Sequence, residues 1–148
     1  MADWILLLNL VVTLLMTGVI WFVQVVHYPL FLKVGSVDFS KYESSHRIRT
    51  SFVVVPLMLV EGVSSVALLV WPPGGFAALW LWILVALLVV IWLSTFLIQV
   101  PLHNRLSNGF RDELIRKLVR SNWVRTAGWT LRSVALVVLT FSQFEFRS

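Results

Sequence analysis

The sequence predicts an all-α fold: a four-transmembrane-helix bundle built from two similar helical hairpins, with interfacial amphipathic connector helices on the cytoplasmic side. Composition is the first observation behind this prediction, because 59% of the 148 residues are hydrophobic and the mean hydropathy is +0.88. A chain of this size cannot bury so much apolar surface in a soluble core, so lipid must be its main solvent. We expect a single membrane domain over residues 1–148.

The second observation is that four apolar windows are each long enough to cross a bilayer core, which needs ~20 residues. The first window lacks a basic leader and ends in VQVVHYP instead of small residues, so we expect it to remain in the mature protein. The fourth window is the weakest of the set. The windows cover roughly residues 4–26, 51–71, 76–100 and 123–144.

The third observation is the distribution of basic residues, which cluster around two connectors and are absent from the WPPGG connector. The positive-inside rule then places both basic connectors in the cytoplasm and both termini outside it, in what we expect to be a bacterial inner membrane. Attraction to anionic lipid accounts for this charge, so nucleic acid is not an expected partner. The clustered residues are Lys33, Lys41, Arg47, Arg49, Arg105, Arg111, Arg116, Lys117, Arg120 and Arg125.

An internal repeat is indicated by the return of SHRIRT, residues 45–50, as SNWVRT, residues 121–126, at an offset of 76. Gln24 and Gln99 are 75 residues apart, and His27 and His103 are 76 apart. We therefore expect two similar units, 1–73 and 74–148, related by an axis along the membrane normal. Such an axis would place His27 opposite His103.

Both basic connectors are predicted to contain helices that lie in the membrane interface. Residues 105–121 have an apolar stripe opposite their cations, and residues 30–44 are a weaker version of the same pattern. We expect their apolar side chains to contact lipid. These are Phe110, Leu114, Ile115 and Leu118 in the second connector and Phe31, Val34, Phe39 and Tyr42 in the first.

Each apolar window also has one polar stripe at helical spacing. Polar side chains are costly against lipid, so the four stripes should face one another and line a pocket toward the cytoplasmic end. The stripes comprise Asn9, Thr13, Thr17, Gln24 and His27; His46 and Glu61; Trp92, Thr95, Gln99 and His103; and Asn122, Arg125, Trp129 and Arg132.

Glu61 and Arg132 are the two charged residues expected near mid-bilayer. Glu61 follows Arg49 by twelve residues and Arg132 follows Arg125 by seven, which gives depths of about 18 Å and about 10 Å at the helix rise. An unpaired charge there costs at least ~2.5–3.5 kcal/mol, so we predict a structural ion pair. A functional acid or base, or a ligand, is the alternative role for Glu61.

The three histidines allow several functions. His27 and His103 could ligate haem as a bis-imidazole pair, and with His46 they could hold a metal ion. They could also act as general acids or bases, or be ordinary interfacial side chains, since no predicted helix contains a His-x-x-x-His or Glu-x-x-His spacing. Cysteine is absent, which excludes iron–sulfur clusters and thiolate-ligated metals. The candidate cofactor-binding residues are His27, His103, Gln24, Gln99, Arg49 and Trp129.

The order of HYPLF, HRIRTSF, a mid-helix glutamate, QVPLH and NWVRTAGWTLRS resembles small four-helix bacterial membrane proteins of unassigned function. More loosely, it resembles the anthrone-oxygenase-like family, small four-span proteins associated with oxidation of polycyclic aromatic substrates without an evident organic cofactor. The resemblance implies a cavity for a planar ring beside a histidine or an arginine. The candidates are His27, His46, His103, Arg49, Arg125 and Arg132.

Three functions remain open from the sequence. The first is a membrane oxidoreductase or oxygenase acting on a lipophilic aromatic or quinoid molecule, with a histidine as base and Arg125 or Arg132 stabilising an oxyanion. The second is a haem- or metal-binding redox module that uses His27 and His103. The third is a non-catalytic accessory subunit of a larger membrane complex, or a homodimer.

Overall fold

Four long helices form the fold in a computed structural model that describes residues 1–74 and 77–145, without the side chains of residues 144 and 145. We name them α1 (Ala2–Lys33), α2 (Phe39–Val70), α3 (Ala78–Leu106) and α4 (Asp112–Glu145). No strand occurs in these described ranges, so the predicted all-α class is confirmed. Part of the predicted unit 74–148 lies outside the described residues.

Three of the four helices, α1, α2 and α3, are long and apolar enough to cross a membrane. The 32 residues of α2 rise about 48 Å, which exceeds a hydrocarbon core of ~30 Å. In α4, the half predicted to cross contains Arg125 and Arg132, and this helix is not among the three.

The helices pack as neighbours in the order α2, α1, α4, α3, and α2 also contacts α3. Neighbouring helices are antiparallel: Thr13 contacts Glu61 whereas His27 contacts His46. The connectors at residues 34–38 and 107–111 therefore lie at the same end of the bundle. We call it the basic end, because Lys33, Arg105 and Arg111 are located there.

The connector side chains expected to contact lipid form a protein core instead. Phe31, Phe39, Ile115 and Leu118 are each 0% exposed and belong to one buried cluster. Residues 112–121 are the first turns of α4 and not a separate interfacial helix, because no helix breaker separates them from the rest of that helix. The apolar stripe thus packs beneath the polar residues and supports them from the basic end.

Two helices contain a five-residue π-helical segment, Val23–His27 in α1 and Thr95–Gln99 in α3. Each precedes a proline by two residues, Pro29 and Pro101. Proline has no N–H and its ring clashes with the carbonyl four residues earlier, so the wider turn accommodates it. The Tyr28 N–H, for example, bonds the Val23 carbonyl five residues back.

The π-helical segments do not support the predicted repeat. They begin at Val23 and Thr95, an offset of 95 − 23 = 72, and their prolines have the same offset. The glutamine and histidine pairs have offsets of 75 and 76. Gln24 is consequently the second residue of its segment, whereas Gln99 is the last of its own, and the paired residues are not equivalent in the fold.

Candidate functional site

A polar cavity of about 380 Å³ lies between α2 and α3 near the basic end. Its polar side chains come from all four helices, as the sequence predicts, while its outer walls are apolar and exposed where lipid would be. The lining comprises Tyr28, His46, Arg47, Thr50, Ser51, Val54, Val55, Met58, Leu59, Trp92, Thr95, Phe96, Gln99, Val100, His103 and Arg125.

Tyr28, His103 and Glu43 form a hydrogen-bonded triad at this cavity. His103 Nδ1 lies 2.6 Å from Glu43 Oε1, and His103 Nε2 lies 2.8 Å from the Tyr28 hydroxyl. Because a carboxylate only accepts hydrogen bonds, the ring proton is assigned to Nδ1, and Nε2 then accepts from Tyr28. This hydroxyl–imidazole–carboxylate order is the arrangement by which a buried acid orients a base.

Arg125 is a buried cation without a carboxylate partner in the part of the chain that the structure describes. It is 6% exposed, and its guanidinium donates to Asn122 Oδ1 at 3.1 Å and stacks on Trp129 at 5.2 Å. Gln24 Oε1 in turn accepts from Asn122 Nδ2 at 2.9 Å, which fixes the amide. Tyr28 also lies within electrostatic reach of Arg125. A desolvated guanidinium of this kind offers a site for an oxyanion.

Buried polar atoms without hydrogen-bond partners concentrate at the cavity. Of five such atoms in the described residues, three belong to lining residues: Gln99 Oε1, Trp92 Nε1 and Arg125 Nε. A fourth, Glu43 Oε2, belongs to the triad. An unsatisfied buried group costs about 1–3 kcal/mol, so a bound molecule with one donor and two acceptor positions would recover that free energy.

His27 and His46 form a direct imidazole pair, with Nε2 of His27 at 2.7 Å from Nδ1 of His46. Thr50 Oγ1 lies 3.1 Å from the same His46 nitrogen. His46 lines both the polar cavity and a second groove between α1 and α2, whereas His27 lines only the second groove. Arg49 also lines that second groove and is exposed, so it lies away from the polar cavity.

The histidine arrangement does not fit the predicted haem or metal ligation. The His46 ring centroid lies 4.5 Å from that of His27 and 5.4 Å from that of His103, so His46 occupies the space that a macrocycle between the other two would need. Their nitrogens bond one another, Tyr28 and Glu43. Within the described residues, no group of three or more His, Cys, Asp or Glu could hold a metal ion.

Glu61 and Arg132 form the centre of a separate network in the middle of the bundle. Glu61 Oε1 lies 2.9 Å from Arg132 Nε, and both side chains are 0% exposed. Thr13 and Trp129 donate to the two Glu61 oxygens at 2.8 and 3.0 Å. The remaining Arg132 hydrogen bonds go to Asn9 Oδ1, Ser65 Oγ and the Leu84 carbonyl. Every charge in this network is compensated, so its geometry is that of a structural clamp.

The predicted site residues therefore divide into two groups. Four of them line the polar cavity: His46, Gln99, His103 and Arg125. The others lie elsewhere. His27 and Arg49 line the second groove, and Gln24 accepts a hydrogen bond from Asn122. Trp129 and Arg132 both donate hydrogen bonds to Glu61.

Two site residues, Tyr28 and Glu43, were missed by the sequence interpretation. Glu43 and His46 have the Glu-x-x-His spacing, but the predicted window begins at residue 51, so it does not place this pair within one helix as α2 does. Tyr28 had no such signal. A regular helix at 100° per residue places His27 in line with Asn9 and Tyr28 about 100° away, and the π-helical segment changes this register.

An apolar groove of about 620 Å³ continues from the polar cavity along α2 and α3. The two spaces share Leu59, Trp92 and Phe96. Gly62 lies in this groove, where an added Cβ would be 3.0 Å from the Trp92 ring. The absence of a side chain at Gly62 therefore allows the indole to lie against α2 and form the boundary between polar cavity and groove.

Comparison with known proteins gives no match: no family model, no curated protein and no solved structure is similar to the chain. The polar cavity and its triad are therefore the features from which a function can be inferred.

Proposed function

We propose that the chain is an integral membrane protein that binds a lipophilic aromatic or quinoid molecule with an ionisable hydroxyl and removes a proton from it. This is the acid–base part of an oxidoreductase or oxygenase reaction. The observation that supports it is the buried Arg125, which has no carboxylate partner among the described residues and lines the same cavity as the unpartnered Gln99 Oε1 and Trp92 Nε1. These atoms match a ring with a donor hydroxyl next to an oxygen that becomes negatively charged.

The triad supplies the base in this proposal. A ligand hydroxyl that first donates to Gln99 Oε1 turns to the Tyr28 oxygen, and Tyr28 donates to His103 Nε2, so the hydroxyl proton and the tyrosine proton can each move along one hydrogen bond. The resulting imidazolium is stabilised by the buried Glu43 carboxylate. Arg125 stabilises the oxyanion left on the ligand. This electrostatic stabilisation is stronger than it would be in water, because the cavity is poorly solvated.

The walls of the cavity support a lipophilic ligand. Val55, Leu59 and Phe96 are 47%, 55% and 55% exposed, so the cavity opens toward the position of the lipid. A ring system dissolved in the bilayer could enter between α2 and α3 without crossing water. Its substituents would extend into the adjoining apolar groove.

In the same proposal all four helices cross the membrane, with the basic end in the cytoplasm and both termini outside. The Glu61–Arg132 pair supports a crossing by α4, because it neutralises the cation in the part of α4 that would be deepest. The positive-inside rule supports the orientation. Four spans are also what the loosely resembling anthrone-oxygenase-like proteins have, and we extend their class of polycyclic aromatic substrate to this chain as part of the proposal.

A binding measurement on the purified protein tests the proposed function. A hydroxynaphthoquinone probe should quench tryptophan fluorescence through Trp92, and its visible spectrum should shift to that of the anion. Trp92→Phe should lose most of the quenching, while Trp123→Phe, an exposed indole outside the cavity, should keep it. A probe that neither quenches the fluorescence nor ionises in the wild type would refute the proposal.

Measurements on the same purified sample also test the two other functions. A Soret band, or a stoichiometric metal ion, would favour the redox module in spite of the ring geometry. Co-purification with one stoichiometric protein, together with no probe binding, would favour the accessory subunit. A homodimer is compatible with each of the three functions.

A further inference from the structure

The His27–His46 pair connects the polar cavity to the second groove, which lies between α1 and α2. His46, Thr50 and Val54 are wall residues of both spaces. The second groove has a volume of about 380 Å³, and His27 is a wall residue of it alone. Two imidazoles joined by a 2.7 Å hydrogen bond therefore bridge two openings that adjoin the same stripe of α2.

We propose that this pair conducts the proton of the bound ligand from the polar cavity to the second groove, where His27 exchanges it with water. The inference rests on the proposed function, since it needs a ligand that ionises in the cavity. The step is acid–base only: the ligand O–H bond breaks, its proton is taken up through Tyr28 by His103, His103 gives a proton to His46, His46 gives one to His27, and His27 gives one to water. No electron moves, and the reverse transfer on ligand release restores both rings.

The nitrogens of His46 are disposed for such a transfer. Its contacts with His27 and with Thr50 both use Nδ1. Nε2 is thus left for the cavity, so the ring can accept a proton on one nitrogen and release one from the other. The His46 ring is also within 5.4 Å of His103, centroid to centroid, which places the triad and the pair around the same space.

Other exits from the cavity are less suitable for a proton. The walls at Val55 and Leu59 face lipid, where a proton has no acceptor, whereas the second groove includes the exposed polar residues Ser45 and Arg49. Toward the basic end, Arg47 donates to Ser107 Oγ at 2.7 Å and adds a fixed positive charge to the wall. The triad ends at Glu43, which is 0% exposed and cannot pass the proton directly to water.

The charged neighbours of the pair act in opposite directions on a transient imidazolium: Glu43 favours it on His27, and a protonated His103 opposes it on both rings. Glu43 is one turn before His46 on α2, and its carboxylate acts electrostatically on His27. His103, from α3, opposes this when it is protonated. Arg49 is exposed across the groove and donates to Ser45, so solvent screens its charge. The Tyr28 ring lies edge-on to His46 and the Tyr42 ring lies tilted to His27, at centroid distances of 6.1 and 6.4 Å.

Stopped-flow proton release tests the proposal. The hydroxynaphthoquinone probe is mixed with purified protein in weakly buffered solution containing a pH indicator, and probe affinity is measured separately by tryptophan quenching. His27→Ala should slow release at least tenfold with affinity within twofold, and added imidazole should restore the rate. Val53→Thr, a nearly isosteric change in the same groove, should leave release unchanged.

A second variant separates proton transfer from packing. His27→Phe keeps the ring contacts with Phe31 and Tyr42 but leaves no room for imidazole, so release should be slow and not restored. Wild-type release in both variants, or slow release in His27→Ala that imidazole does not restore, would overturn the proton path while probe binding persists. Absence of probe binding in the wild type would overturn the proposed function and the proton path together.

Discussion

His103 Nδ1 lies 2.6 Å from an oxygen of Glu43, a carboxylate that is 0% exposed and whose other oxygen has no partner among the described residues. An incompletely satisfied buried carboxylate is destabilising by itself. Its position behind the imidazole, on the side away from Tyr28, indicates that it orients the ring and sets its tautomer. The destabilisation caused by burying this carboxylate therefore occurs at the residue that sets the tautomer of His103.

Replacement of this carboxylate should reduce proton transfer without preventing binding. Glu43→Gln retains a hydrogen-bonding oxygen but removes the charge that stabilises an imidazolium. We expect the ionisation rate of the bound probe to fall about 10²-fold, within the usual contribution of a general base, with affinity unchanged. Glu113→Gln, an exposed change in the first turn of α4, is the control. An unchanged ionisation rate would remove Glu43 from the proposed mechanism.

Gln99→Leu should weaken probe binding, because it removes the buried acceptor assigned to the ligand hydroxyl. The expected loss is about 5- to 30-fold, equivalent to about 1–2 kcal/mol for one hydrogen bond in a buried site. The change also breaks the bond from Gln99 Nε2 to Ser121 at 3.0 Å, so Ser121→Ala is measured alongside it. Equal losses in the two variants would attribute the effect to packing and not to the ligand contact.

The absence of cysteine makes the proposed crossing of α4 easy to test by single-cysteine labelling. Gly35→Cys, Gly74→Cys and Ser142→Cys introduce thiols at the basic end, at the opposite end and in the last turn of α4, and the two glycines have open space around them. An impermeant maleimide added to intact cells should label positions 74 and 142 but not 35. Labelling of position 142 only after permeabilisation would contradict the four-span arrangement.

The sequence predicts the contact between Glu61 and Arg132 correctly but not the full set of cavity residues, and the reason is helix geometry. Glu61 and Arg132 lie in regular α-helix, so counting 1.5 Å per residue places them at depths that one side chain can bridge. The interpretation of His27 and His103 assumed the same regularity across Val23–His27 and Thr95–Gln99, where the helices widen. The register changes there, and Tyr28, at 4% exposed, lies inward.

The predicted lipid contact of the connector side chains is wrong, because an amphipathic pattern does not show whether its apolar face contacts lipid or protein. Phe31 and Phe39 have the spacing of a helix on a membrane surface, but Ile115 and Leu118 from the other connector cover them. Only the antiparallel packing of the helices brings both connectors to the same end. Because α2 begins at Phe39, Glu43 also lies inside a helix. The triad depends on its contact with His103, a residue far away in sequence, which only the folded structure reveals.

Close packing of α3 against α4 predicts a strong effect at Gly128. A Cβ there would lie 2.7 Å from Ile91 Cγ1, an atom near the backbone of a fully buried side chain. Gly128→Ala should destabilise the protein by about 1–3 kcal/mol, and Ile91→Ala in the same chain should recover part of that loss. Gly18→Ala, with open space around it, should be neutral or stabilising in the same thermal unfolding measurement. A neutral Gly128→Ala would contradict the close approach of the two helices.

The Glu61–Arg132 pair should show a larger loss from one substitution than from two. Glu61→Leu leaves a guanidinium that is 0% exposed without its anion, and removal of one partner from a buried pair costs about 3–5 kcal/mol. Adding Arg132→Leu removes the uncompensated charge, although Asn9 and the Trp129 indole then lose partners, so recovery should be partial. Arg116→Ala, which breaks an exposed pair with Asp112, should leave the melting temperature unchanged. Equal melting temperatures for the single and double variants would mean that Asn9, Ser65 and the Leu84 carbonyl already stabilise Arg132 sufficiently, and that Glu61 has a role other than compensating its charge.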